Sequence, residues 1–204
     1  MNIPMIQTDR SGSNHSIPLN NLKKLNGKLP VPKNLSVDEA VPLIIFDDEH
    51  FMRAALRQAE IAFENDEVPV GAVAVRNGMI IARASNQVEM LKDATAHAEI
   101  LIMTQAAARL EDWRLEDVDI YVTKEPCAMC AGAMVNSRVR RVIYGMPDPR
   151  SGAAGSALNV TGFEGMLHQV EVRGGVLEDE CRAIMQEFFR LARLKKVQKQ
   201  EADS

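Results

Sequence analysis

In the stretch DATAHAEI, residues 93–100, His97 and Glu99 stand two apart among alanines and an isoleucine. Residues two apart do not share a helix face, so an ordinary amphipathic pattern gives no reason for them. Further along, EPCAMC places Cys127 and Cys130 at i and i+3, behind Pro126. Proline is favoured at the first helical position, where its missing N–H costs nothing. A helix is therefore expected from about Pro126, with both thiols on one face of its first turn. The free amides and positive dipole end of such a turn stabilise thiolates, the form that binds metal. Two thiolates and one imidazole suit zinc, and three protein ligands leave a fourth position open for water. If the metal lies beyond the N-terminal end of a helix expected from about Thr95 to Arg109, near its axis, His97 can ligate while Glu99 reaches that water. Zinc lowers the pKa of water from ~15.7 towards ~7. A carboxylate beside it can take a proton and hand it on.

Other readings of these residues are weaker. A C-x-x-C pair also serves redox chemistry, but the thioredoxin-like context is absent. A purely structural zinc site needs a fourth protein ligand. The remaining candidates, His15, His50, His168 and Cys181, show no ligand spacing, and Cys181 reads as a core thiol of the last helix.

The elements that must position this chemistry follow from periodicity. From Asp48, Phe51, Met52, Ala55, Leu56, Ala59, Ala62 and Phe63 recur at helical spacing, with Asp47 or Asp48 as cap. VPVGAVAVRNGMIIARA reads as a hairpin about Asn77-Gly78, a pair that tolerates the positive φ of a tight turn. A polar loop, 86–94, leads to the helix bearing His97. Then come the strand VDIYVT, the helix of the cysteines, the strand RVIYG, the loop SGAAGSA, a strand near QVEVRG and a long helix from Glu178 to about Lys196. Alternating helices and strands with short connections indicate an α/β layer fold with helices on both faces of one sheet.

With 204 residues, 46% hydrophobic and 25% charged, the chain suits one globular domain plus some unpacked sequence. Residues 1–45, rich in Asn, Pro, Ser and Lys without periodicity, are expected to be a flexible N-terminal extension. The catalytic domain is expected over 46–198, with 199–204 a tail. No secretory signal or membrane-length apolar run is seen, and three cysteines make no disulfide framework, so the chain reads as cytoplasmic. The net charge of −4 argues against indiscriminate nucleic-acid binding. Basic residues nevertheless cluster at Arg138, Arg140, Arg141 and Arg150, and again at Arg182, Arg190, Arg193, Lys195, Lys196 and Lys199. Such a face can meet a phosphate backbone, or be merely solvated.

The signature His-x-Glu followed by Pro-Cys-x-x-Cys is that of zinc deaminases acting on bases. Together with EVPVGAV, DWRL, SRVRRVIYG, SGAAGS, GGVLEDEC and FFR, it makes residues 48–195 resemble the cytidine/deoxycytidylate deaminase superfamily, most nearly the bacterial tRNA-specific adenosine deaminases. The resemblance implies a three-layer α/β/α cytidine-deaminase-like fold with a central mixed sheet of about five strands. It implies one Zn2+ per subunit on His97, Cys127 and Cys130, with Glu99 shuttling protons as hydroxide attacks C6 of a tRNA wobble adenosine to give inosine. Substrate contacts would come from Asn86, Ala98, Pro126 and Asp148, and RNA contacts from Arg150, Ser151, Phe189, Arg190 and Arg193. The partners implied are a tRNA anticodon stem-loop and a second copy, since members are homodimers. Departures from the family pattern are Ala94 and Lys124 for Pro and Leu, Asn136 for His, and Met146-Pro147 for Ala-Arg, all expected near the nucleotide-binding surface.

Two other functions are to be distinguished: deamination of a free base such as guanine, and a non-catalytic zinc-bound RNA-binding subunit. A small-molecule enzyme has no need of a basic rim, and a scaffold has no need of Glu99.

Overall fold

The computed structural model describes residues 46–202, together with the backbone of 7–8 and 14–15. The chain divides between Leu43 and Ile44 into two units. In the first, strands β1 (Gln7–Thr8) and β2 (Asn14–His15) pair antiparallel, Gln7 opposite His15. The expected flexible extension otherwise lies outside the described residues.

The second unit opens with helix α1 (Asp48–Glu64), whose first turn is capped by the Asp47 carboxylate accepting from the His50 amide at 2.9 Å. The hairpin β3 (Gly71–Arg76) and β4 (Met79–Ser85) turns at Asn77 and Gly78, with φ of 51° and 72°. Two successive positive φ angles are what a tight primed turn requires. The loop expected at 86–94 contains a short helix, α2 (Val88–Leu91). Then follow α3 (Ala98–Leu110), β5 (Val118–Lys124), α4 (Ala128–Asn136), β6 (Arg141–Met146), β7 (Glu171–Arg173) and α5. Helix α5 (Glu178–Ala202) continues six residues past Lys196.

The five-stranded sheet has the order β4-β3-β5-β6-β7. The first two pairings are antiparallel and the last two parallel. Strand alternation sends side chains to two separate cores. Ala72, Ala74, Ile120, Val122 and Val142 pack with Ile102 and Met103 of α3 and Met134 of α4. Val73, Val75, Tyr121 and Ile143 pack on the other face with Phe51, Met52 and Ala55 of α1 and Cys181 of α5. The result is the expected three-layer sandwich. Cys181 is buried there, and burial pushes its thiol up to about 12, as suits an inert core residue.

The alanines of α1 have a reason. A Cβ on Gly71 would lie 2.2 Å from the Ala55 carbonyl oxygen and the Ala59 nitrogen, so helix and strand meet backbone to backbone. Among the described residues, no helix is long and apolar enough to cross a membrane.

Candidate metal centre

Helices α3 and α4 both begin later than their sequences suggest, and the delay builds the site. Asp93 accepts from the Thr95 amide at 2.8 Å and from its hydroxyl at 2.7 Å, closing a turn where the helix was expected to start. His97 is thereby the N-cap of α3, with extended backbone (φ −69°, ψ 149°). Pro126 likewise lies outside α4: its carbonyl accepts from the Ala153 amide at 2.8 Å, and Cys127 forms an antiparallel bridge with Gly152. This pairing keeps Cys127 extended (φ −73°, ψ 174°), and it is the N-cap of α4. The two helix starts bring the His97 Nδ1 atom 3.8 Å from the Cys127 Sγ and 3.6 Å from the Cys130 Sγ. One ligand atom from each of the three lies within 4.8 Å of the others. Bonds of about 2.0–2.3 Å to one tetrahedral ion fit such a spacing.

The electrostatics suit a cation. The Cys130 thiol and His97, beside Cys127, bring the Cys127 thiol down to about 3. The neighbouring Cys127 and burial drive Cys130 the other way. The hydrogen bond to Cys127 raises His97 against the effect of burial. Glu99, only 4% exposed, has its carboxyl raised, chiefly by burial. A carboxyl tuned towards holding its proton can both accept and return one.

His97, Glu99 and Cys127 line a cleft of about 390 Å³ together with Asn86, Ser151 and Phe189, among others, with Cys130 buried behind them. Arg150, Phe189 and Arg193 line an adjoining hollow of about 430 Å³, so Phe189 belongs to both. Ala98 and Pro126 are buried and carry no polar side-chain atom. Both oxygens of Asp148 are taken: Lys124 at 2.6 Å and the Ser151 hydroxyl at 2.6 Å meet one, and the amides of Arg150 and Ser151 meet the other. Arg190 is engaged by Glu187 through two hydrogen bonds of 2.7 Å, and Lys195 by Asp66. Part of the basic run is therefore neutralised by acids. Of the departures, Lys124 lines the cleft. Asn136 is not among the residues lining it and ends α4, about 13 Å along the axis from the Cys127 end.

Two buried acids that line the cleft carry no signal in the sequence of such a role. Glu125 accepts from the amides of Asp148, Ala154 and Ser156, shaping the SGAAGS loop around the cysteines. Glu67 accepts from the Asn86 side chain. They stand in KEPC and EVPVGAV, but an acid reads as solvated until its donors, distant in sequence, are known.

A family model described as MafB19-like deaminase matches residues 46–193. The tRNA-specific adenosine deaminase of Bacillus subtilis (strain 168) is 49% identical over 149 residues, covering 73% of this chain and 92% of that one. A solved structure from studies of A-to-I editing by tRNA:A34 deaminases is 44% identical, with a TM-score of 0.64, over 66% of this chain and 98% of that one. A guanine deaminase from Nitrosomonas europaea is 25% identical, with a TM-score of 0.60, over 69% and 83%. The chain thus belongs to the MafB19-like deaminase family and, by its relatives, to the family of the tRNA-specific adenosine deaminases.

Proposed function

We propose that the chain hydrolyses the 6-amino group of the wobble adenosine in a tRNA anticodon loop, giving inosine and ammonia. The observation that carries this is the convergence of His97, Cys127 and Cys130 beside the buried Glu99 at one cleft. Zinc held by His97, Cys127 and Cys130 would supply water acidic enough to act as a nucleophile near neutral pH.

The chain's own residues do the rest. Glu99 takes one proton from the attacking water and delivers it to the purine ring nitrogen, then takes the second from the hydroxyl formed on C6 and passes it to the departing amine, which leaves as ammonia. Its raised pKa makes both directions accessible. Asn86, 6% exposed, offers an amide to the base edge. Asp148, read as a substrate contact, also pins the Arg150-Ser151 turn through its carboxylate. Arg150, Phe189 and Arg193 offer charge and a stacking face to a splayed-out loop. The enzyme is read as cytoplasmic and homodimeric, with one zinc per subunit. Residues 1–45 are read as a flexible extension, 46–198 as the deaminase domain and 199–204 as a tail.

The test is inosine formation by zinc-loaded protein on an arginine anticodon stem-loop carrying a wobble adenosine, with Glu99→Ala as blank and free guanine and adenosine in parallel. Inosine in the RNA is the expected result. Ammonia from free guanine alone would keep the zinc chemistry and overturn the substrate, and silence on all three would favour a non-catalytic subunit.

A further inference from the structure

Glu67 lies between α1 and β3, 2% exposed, and lines the same cleft as Asn86 and Glu99. Its Oε2 accepts from the Asn86 Nδ2 at 3.1 Å, and its Oε1 accepts from the Met90 amide at 2.7 Å. Both bonds have a directional consequence. Both oxygens of Glu67 act as acceptors, so Asn86 turns its NH2 end towards it. The opposite orientation would set the amide oxygen against a carboxylate oxygen. With Nδ2 committed, Asn86 keeps its Oδ1 acceptor and one N–H for the cleft. The second bond holds the wall on which Asn86 sits. Gln87, the N-cap of α2, makes no side-chain capping bond, and Glu67 supplies the acceptor for that helix's first turn from 23 residues away.

We propose that Glu67 is a positioning residue for substrate recognition: its carboxylate fixes which way round the Asn86 amide faces the pocket, and so which hydrogen bond the pocket offers a nucleobase. The inference rests on the reading of the cleft as a base pocket. Asn86 then presents an acceptor matched to an N–H on the base, and the choice is made by chemistry at Glu67 rather than by the packing of Asn86. A neutral glutamine at this position would donate as well as accept, and would satisfy either orientation of Asn86.

The experiment uses zinc-loaded, full-length protein and the near-isosteric Glu67→Gln. On the anticodon stem-loop, kcat/KM is expected to fall about tenfold, the cost of one misdirected hydrogen bond to a base. Zinc per chain should be unchanged. In an Asn86→Ala background the same change should cost less than about twofold, because the group it orients is gone. A purely structural Glu67 would show the same loss in both backgrounds, and either that result or no loss in the first background overturns the proposal. A wild type that forms no inosine overturns the RNA reading instead. Orientation is then decided by NMR of the Asn86 side-chain amide, whose protons should exchange slowly in the wild type and quickly in Glu67→Gln. Equal exchange rates in the two proteins would also overturn the proposal.

Discussion

His97 and Cys127 occupy the same place in two different helices. Each is an N-cap in extended conformation, and each is followed within one turn by a second functional side chain, Glu99 in α3 and Cys130 in α4. An N-cap side chain leaves along the helix axis rather than from its side, so the 100° step between helical residues does not separate it from the next turn. This is how residues two apart can address one centre. The positive dipole ends of both helices therefore lie at that centre, where they favour thiolate.

Glu99→Ala is expected to retain zinc and lose about a hundred- to ten-thousandfold in turnover, the usual scale of a missing general acid–base group. Metal analysis beside inosine assay checks both halves. Loss of zinc would mean that Glu99 had been misassigned.

Cys127→Ser removes the thiol brought down to about 3 and is expected to lower zinc content and thermal stability together, since ligand binding energy is part of folding energy. Chelation of the wild type should lower its Tm in the same direction. An unaltered zinc stoichiometry in Cys127→Ser would remove it from the ligand set.

Lys124→Leu probes the ion pair with Asp148. Burial opposes the charge on Asp148, but Lys124, Ser151 and the Arg150 amide outweigh it and hold the carboxyl well below the usual range. With a depressed folded pKa, the unfolded chain takes up the proton first as pH falls. The stabilisation is therefore complete above about pH 5 and is lost progressively as pH falls below it. Urea midpoints between pH 7 and pH 3 should fall less steeply in Lys124→Leu than in the wild type. Parallel curves would show that the pair contributes nothing.

Gly71→Ala places a methyl where the backbone of α1 already lies, at 2.2 Å from two of its atoms. The helix must shift, at a cost of about 1–3 kcal/mol for overpacking. Chemical denaturation measures this, and a change under a few tenths of a kcal/mol would contradict the close approach.

Arg150→Ala with Arg193→Ala should reduce the slope of log K against log salt for stem-loop binding by about one per charge removed. Arg190→Ala, paired with Glu187, should reduce it less. An unchanged slope in the double variant would return that hollow to plain surface.

The sequence by itself determined what depends on neighbours in the chain. Strand alternation, the Asn77-Gly78 turn, the spacing of Cys127 and Cys130 and the order of helices and strands are local, and they led to the α/β layers the structure displays. Only the tertiary structure decided where α4 starts, while the late start of α3 comes from a local turn that outcompetes helix propensity. The turn closed by Asp93 and the pairing of 126–127 with 152–153 compete with helix propensity, and the second joins residues far apart in the chain. The same reason hid Glu67 and Glu125. Their partners, Asn86, Met90, Asp148, Ala154 and Ser156, reach them only when the chain is folded, and a carboxylate's role is set by the donors around it.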